Sequence, residues 1–252
     1  MRKFNHLLAI LFAVFVVPTG AQADNWSYEF EPYLLMSSIE GDSGIGRVNG
    51  APVDVNFDQI LEVLDAGFMG HFEAQNTNGW GIALDYGFMD LRQDTVDPRG
   101  GVQNARLRQG VLEALLTKRH EKGDGHVDYF AGFRWWDNDI FLSVNPAVLP
   151  GDLRVDINED WIDLVFGARM MRPISEKWQF NLRGDIGGFG MQADFTAVVA
   201  LAFRYEISDL MDLDLQYRAM WVDYENGTAG QAGAYSYDTV THGPILGLVF
   251  KF

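Results

Sequence analysis

The sequence predicts an all-β protein: a transmembrane antiparallel β-barrel of ten strands, with eight as the alternative, carrying one short helix in its first extracellular loop. Three observations predict it. Period-2 alternation recurs along the chain, while helical periodicity is nearly absent. Each alternating run is about the 9–11 residues a tilted strand needs to cross a bilayer, or slightly longer. The apolar rows open or close on tryptophan, which settles at membrane interfaces. A soluble β-sandwich core requires no such placement.

Taken in order, the chain opens on Arg2 and Lys3, an apolar stretch from Leu7 to Val17, and Ala21-Gln22-Ala23, an A-x-A cleavage pattern. Residues 1–23 therefore read as a cleaved signal peptide and 24–252 as the barrel. The apolar stretch is short of the roughly 20 residues a spanning helix needs, which weighs against a retained anchor. The predicted strands are 26–37, 66–76, 80–91, 105–118, 126–137, 160–172, 177–189, 194–206, 211–222 and 239–252. The third turns Trp80, Ile82, Leu84, Tyr86 and Phe88 outward. The seventh turns out Trp178, Phe180, Leu182 and Ile186, and the eighth Phe195, Ala197, Val199, Leu201, Phe203 and Tyr205. The last alternates Leu246, Leu248, Phe250 and Phe252 with Gly247, Val249 and Lys251. Eight strands result if the runs near 190–206 are misread.

Connections 76–79, 121–125, 173–176 and 207–210 are tight and rich in turn residues. Connections 38–65, 92–104, 138–159 and 223–238 are long, and 190–193 is a short exception on the same side. Short periplasmic turns with longer outer loops are the outer-membrane pattern. Trp26, Trp80 and Trp178 each open an upward strand and mark the periplasmic girdle; Trp135 and Trp221 close upward strands and mark the outer one.

The opposite faces are charged. A lipid-facing Arg or Lys at the midplane costs ~2–4 kcal/mol, so these side chains must line a lumen. In a narrow barrel they must also pair, because an unpaired buried charge is expensive. The expected network comprises Glu31, His71, Glu73, Asp85, Glu113, Asp128, Arg134, Asp163, Arg169, Arg183, Asp185, Arg204, Asp214 and Arg218, with Glu29 and Lys251 also inward. Carboxylates of strands one to four are expected to meet arginines of strands five to nine, leaving no wide aqueous pore.

Composition excludes several chemistries. There is no cysteine, so disulfides, lipid attachment through an N-terminal Cys and thiolate sites are absent. The formal charge is −16, and the predicted signal peptide removes only positive residues. That balance argues against nucleic acid as a partner. Glu31, His71 and Asp85 fall level on adjacent strands and could support a base or a weak metal site, although an ion-paired histidine explains them as well. One His is thin support for zinc, and neither a metal nor a cofactor is expected. Ser27 and Ser37 lie at opposite ends of their strand, so His71 has no neighbouring nucleophile. Omptin proteases carry Asp and His at the extracellular rim; here Asp137 and Asp139 sit at such a rim, but His242 has outward parity. His120 and His126 lie at the periplasmic end without an obvious serine, against a lipid A deacylase. In the first long connection, Asp58–Leu64 reads as an amphipathic helix capped by Asp58, with Ile60, Leu61 and Leu64 on one side. It either plugs the lumen or packs on the rim. Trp136 and Trp161 face inward near the outer mouth, as a ligand platform or as filler. Residues 225–237 read as a surface loop.

Two resemblances add to this reading. A strand ending the chain on Phe252 resembles the closing strand of Gram-negative outer-membrane barrels, where it is the signal read by the barrel-assembly machinery. The segments Tyr28–Leu34, Val53–Asp65, Phe68–Ala74, Gly79–Tyr86 and Met89–Leu91 together resemble a family of small, functionally uncharacterised Gram-negative outer-membrane β-barrel proteins. The resemblance implies the bacterial outer membrane as location. It implies outer-membrane lipid, lipopolysaccharide and the assembly machinery as partners, and it carries over no catalytic residue. The expected function is that of a non-enzymatic barrel, structural or a narrow small-solute passage. The alternatives are a surface-binding or adhesion barrel acting through its loops and, third, a hydrolase.

Overall fold

The computed structural model describes residues 25–96, 102–145, 153–231 and 233–252. The expected signal peptide lies outside them. The elements are β1 (Trp26–Leu35), β2 (Ser38–Ile45), β3 (Val48–Val55), α1 (Phe57–Val63), β4 (Leu64–Asn76), β5 (Trp80–Val96), β6 (Val102–Lys122), β7 (Gly125–Asn145), β8 (Leu153–Pro173), β9 (Trp178–Gly188), β10 (Ala193–Ser208), β11 (Met211–Asn226) and β12 (Tyr235–Lys251). Ten strands are antiparallel neighbours in the order β1, β4 to β12, with β1 pairing back onto β12. The result is a closed ten-strand barrel with two extra strands, β2 and β3, and one short helix. Eight strands is thereby ruled out, because β9 and β10 are separate, fully registered strands.

Closure follows a single register. Leu35 faces Ile245, the Met36 N–H donates to the Pro244 carbonyl at 2.9 Å, and Ser38 faces His242. β1 and β2 are therefore one line of chain along β12, interrupted only on the other edge. There Pro32–Gly70 is the last pair with β4. Proline has no N–H to donate and tends to sit where a ladder stops.

The structure corrects the long connections. β2 and β3 form a hairpin inside the stretch read as the first loop, and β5, β6, β7, β8, β11 and β12 all run on into stretches read as loops. The reason is chemical. Above the outer girdle the outward row turns polar, with Asp90, Arg106, Arg108 and Asp139, so the apolar alternation that marks a membrane strand ends while the hydrogen-bond ladder continues. The helix cap is corrected too. Asn56, not Asp58, caps α1, and the helix spans Phe57–Val63 rather than 58–64. The Asn56 side chain accepts from the Gln59 N–H at 3.0 Å, and the Gln59 side chain accepts from the Asn56 N–H at 2.9 Å. This reciprocal capping box selects Asn56, because only there does a Gln fall three residues on. Of the expected apolar side, Ile60 is buried and Leu61 is exposed.

The outward rows of β5, β9, β10 and β12 leave large apolar side chains bare, among them Ile82, Leu84, Ile186, Val199, Leu201, Leu246 and Leu248. A water-facing surface carries no apolar band of this extent, whereas a barrel in lipid requires one.

Phe252 completes the closing seam. Its carbonyl accepts from the Tyr28 N–H at 2.9 Å, its own N–H donates to the Tyr28 carbonyl at 3.0 Å, and the two rings stack at 5.9 Å. Deleting Phe252 removes both bonds and the stack. Heat-modifiable, folded barrel in outer-membrane fractions is expected to fall several-fold while export continues; unchanged membrane levels of the truncated protein would overturn this assignment.

Candidate functional site: the filled lumen

The lumen is organised by one register row. Glu31, His71, Asp85, Glu113, Arg134 and Asp163 oppose one another directly across β1, β4, β5, β6, β7 and β8. Period-2 geometry turns all of them inward once one is inward. Arginines approach this row from the far wall, where Arg169 faces Arg183 on the neighbouring strand, and Arg204 and Arg218 follow on β10 and β11.

The centre of the network is Arg134, whose side chain is almost wholly enclosed. It donates to Glu113 at 2.6 Å, Asp185 at 2.8 Å and the Thr196 hydroxyl at 2.9 Å. Arg183 shares both carboxylates, at 2.6 Å from Glu113 and 2.7 Å from Asp185, and lies over the Phe130 ring. Nearer the periplasm, Arg169 joins Glu73 and Asp128. Arg119 holds the same Asp128 at 2.8 Å. Arg204 reaches Glu29 at 2.8 Å, and Lys251 reaches Asp212 at 2.7 Å. Arg218 comes only to 3.8 Å from Asp85. Glycines make room for these groups: a Cβ on Gly247 would occupy the place of the Glu31 carboxylate.

Three expected members depart from the scheme. Asp163 has no arginine in contact; it accepts instead from the Trp161 indole N–H at 3.2 Å and the Ala193 N–H at 3.2 Å. Asp214 lies opposite Arg204 in register, yet Arg204 bonds Glu29 instead. Glu31 is buried beside His71, but it is Glu73 and Asp85 that bond the His71 ring, at 2.9 and 3.2 Å. The Glu31–His71–Asp85 constellation is therefore a Glu73–His71–Asp85 clamp, because Glu73 shares the inward row of β4 two residues on. Arg119 was missed, although its parity with Glu113 on β6 signals an inward side chain.

A second barrier lies above the ionic layer, at the outer mouth. Trp136 and Trp161 are 1% and 0% exposed and stack at 5.3 Å, and Trp161 stacks on Tyr224 at 4.0 Å. Tyr235 and Tyr237 complete the cluster. Its tyrosine hydroxyls are bonded: Asn138 donates to Tyr235 at 3.0 Å, Gln109 donates to Tyr237 at 3.3 Å and Tyr224 donates to Glu159 at 3.2 Å. The three tyrosines lie on the parts of β11 and β12 read as the long connection 223–238; the Tyr235-Ser-Tyr237 spacing, continuing the inward parity of Thr239, was the available signal.

All the remaining candidates but His126 sit apart from the lumen; His126 shares the inward parity of Asp128 on β7, at the periplasmic end. Asp139 meets Arg108 and Asn158 on the outer wall, above the girdle. His242 accepts or shares a proton with Tyr217 at 2.8 Å and lies 3.3 Å from Glu40, also outside. His120 packs edge-on against Tyr129, and His126 stands 3.7 Å from Asp128 near the periplasmic turn. Trp26, Trp80, Trp135 and Trp221 are outward and exposed, and Trp178 is partly covered by Tyr205. Among the described residues no cluster of His, Asp and Glu is arranged to hold a metal.

No protein-family model and no curated protein matches the sequence. Among solved structures, the outer membrane protease OmpT from Escherichia coli is similar over 92% of this chain and 98% of its own, with a TM-score of 0.52 and 9% identity. The translocator domain of the autotransporter NalP from Neisseria meningitidis is similar over 90% and 88%, with a TM-score of 0.46 and 10% identity. The attachment invasion locus protein Ail of Yersinia pestis is similar over 90% and 99%, at 0.37 and 10%. The fold is that of a bacterial outer-membrane β-barrel. Likeness at this level of identity carries the architecture and nothing about activity; the bare apolar band independently sets the solvent as lipid.

Removing Arg134 leaves Glu113 and Asp185 sharing Arg183 alone. Arg134→Met is expected to destabilise the barrel by about 3–5 kcal/mol, measured by denaturant unfolding in micelles. The double variant Arg134→Met with Glu113→Gln is expected to cost less than the two single changes added. A loss of about 0–1 kcal/mol for Arg134→Met would show a wet, screened lumen instead.

Proposed function

We propose that this protein is a non-enzymatic, non-conducting barrel of the outer membrane, a structural element that closes its lumen rather than a passage through it. The observation that carries this reading is the presence of two barriers in series: the ion-pair layer around Arg134 and the aromatic plug around Trp161. A barrel this narrow has an interior just wide enough for side chains, and here long side chains from both walls meet across it. The non-enzymatic part rests on His71. Both of its ring nitrogens are taken by carboxylates, and among the described residues no hydroxyl is bonded to it. The position of α1 beside β5 supports the rim-packing alternative for the first loop over a lumen plug.

Planar-bilayer recordings of refolded protein test the proposal. No conductance, or rare small steps, is expected. Trp136→Ala with Trp161→Ala is expected to stay closed, because the ionic layer remains below. A large, stable, porin-like conductance in the unaltered protein would overturn the closed-lumen reading.

A second reading is favoured by the strand extensions above the girdle. Their outward face bears Arg92, Arg106 and Arg108 interleaved with Asp94, Asp139 and Asp156 around a groove of about 450 Å³, with Arg106 also paired to Asp90. An alternating-sign surface at this height suits the phosphates of lipopolysaccharide and their bound cations, which makes lipopolysaccharide the proposed surface partner. Arg106→Ala with Arg108→Ala is expected to reduce co-purifying lipopolysaccharide at least several-fold; retention at the unaltered level would remove this partner.

A further inference from the structure

We propose that the barrel binds one single-chain carboxylate amphiphile, admitted from the outer leaflet through a parting in its wall and held by Arg218 in a cavity beside the aromatic plug. Four observations converge on this.

The first is the parting. Residues 33–38 pair with β12 on one edge, but among the described residues they form no ladder with β4 on the other. Pairing on that edge stops at Pro32–Gly70 and resumes, with β3 instead, at Ile39–Val55. The chain between, 56–69, leaves as α1 and returns as the upper part of β4, which pairs only with β5.

The second is its height. The register row through Trp135 runs by Leu112, Tyr86 and Gly70 to Pro32. The row through Trp221 runs by Val240 to Glu40. The unpaired stretch lies between these two marks of the outer girdle, where acyl chains meet headgroups. Its outer flanks are Leu34 and Phe68, 49% and 51% exposed.

The third is the cavity. About 80 Å³ is open above the carboxylate row, walled by Leu35, Met69, Met89, Val111 and Met220 with Trp136 on the plug side. Leu35 and Met69 belong to the two strands that part. Liquid water takes roughly 30 Å³ per molecule and a benzene-binding cavity is about 150 Å³. This space therefore takes a carboxylate and two or three methylenes, with the rest of the chain lying in the parting. Methionine-rich walls adapt to alkyl chains.

The fourth is the unspent donor capacity at its base. Arg134, Arg169, Arg183 and Arg204 each have a carboxylate oxygen at 2.8 Å or nearer. Arg218 alone among them has only long contacts: Asp85 at 3.8 Å and the Tyr33 hydroxyl at 3.4 Å, with the Tyr33 ring beneath it. Asp85 is already occupied by Tyr33 at 2.9 Å and His71 at 3.2 Å. A carboxylate is the group that uses the spare donors of Arg218, since guanidinium binds it through paired N–H donors.

The test is photolabelling of the barrel in lipid vesicles with a diazirine-bearing hexadecanoate, mapped by peptide mass spectrometry. Label is expected on Leu35 or Met69, competed by hexadecanoate and not by hexadecanol. Arg218→Gln is expected to cut it at least tenfold. Met89→Trp, which fills the cavity and leaves every ion pair in place, is expected to abolish it. Because the chain has no cysteine, Leu34→Cys with Phe68→Cys can be bridged by a short cleavable cross-linker; bridging should block labelling, and reductant should restore it. Label confined to Leu34, Phe68 and the lipid-facing rows, equal competition by the alcohol, or insensitivity to both Arg218→Gln and Met89→Trp would overturn the inference. Conductance tests the closed lumen separately, so either proposal can fail alone.

Discussion

A charge inside a narrow barrel has neither lipid nor bulk water to turn to, and the rest of this molecule is arranged around that constraint. Moving an ion out of water costs several kcal/mol even after the protein relaxes, and only short, well-aligned contacts return it. Arg134 shows the solution: two carboxylates and a hydroxyl from three other strands converge on one guanidinium. Each of those contacts requires its strand to be in register to the residue. A slip of one residue would turn the whole inward set into lipid. The ionic layer therefore specifies the register of the barrel as much as it stabilises it.

The same constraint explains where the wall is weak. β1 and β2 keep one register along β12 for their full length, yet on the other edge the ladder ends at Pro32. Below that point Glu29 and Glu31 tie the strand into the lumen network. Above it the inward residues are Tyr33, Leu35 and Ser37, and no pair of charges spans the joint. The neighbouring segment, 56–69, is free there to stand off this edge, turn through α1 and come back as β4. The cavity, apolar on its walls and charged at its base, and the under-used Arg218 sit behind this parting, beside the plug.

The site divides into parts that were legible and parts that were not. Inward parity of the charged residues is a local property, so the membership of the lumen set could be read from alternation. Partner choice could not. Arg204 passes over its register neighbour Asp214 for Glu29 across the lumen, and Asp163 takes an indole and a backbone N–H in place of an arginine. These choices depend on distances across the barrel, which alternation along one strand does not contain. The tyrosines of the plug were hidden for another reason: they lie where the outward face is polar, so the apolar alternation that marks a membrane strand has already ended.

By itself the sequence determined the class of the object. Strand periodicity, strand length, tryptophans at strand ends and inward charges follow from near-neighbour chemistry, and they are enough to place an antiparallel barrel in a membrane. The choice of Asn56 as helix cap was also written locally, in its spacing to Gln59. Only the tertiary structure decided how the barrel is filled, how far its strands stand above the lipid, and where its wall parts. Those properties arise between residues far apart in the chain, such as Glu29 with Arg204 or Asn138 with Tyr235, and the closing of the barrel is what brings them within reach.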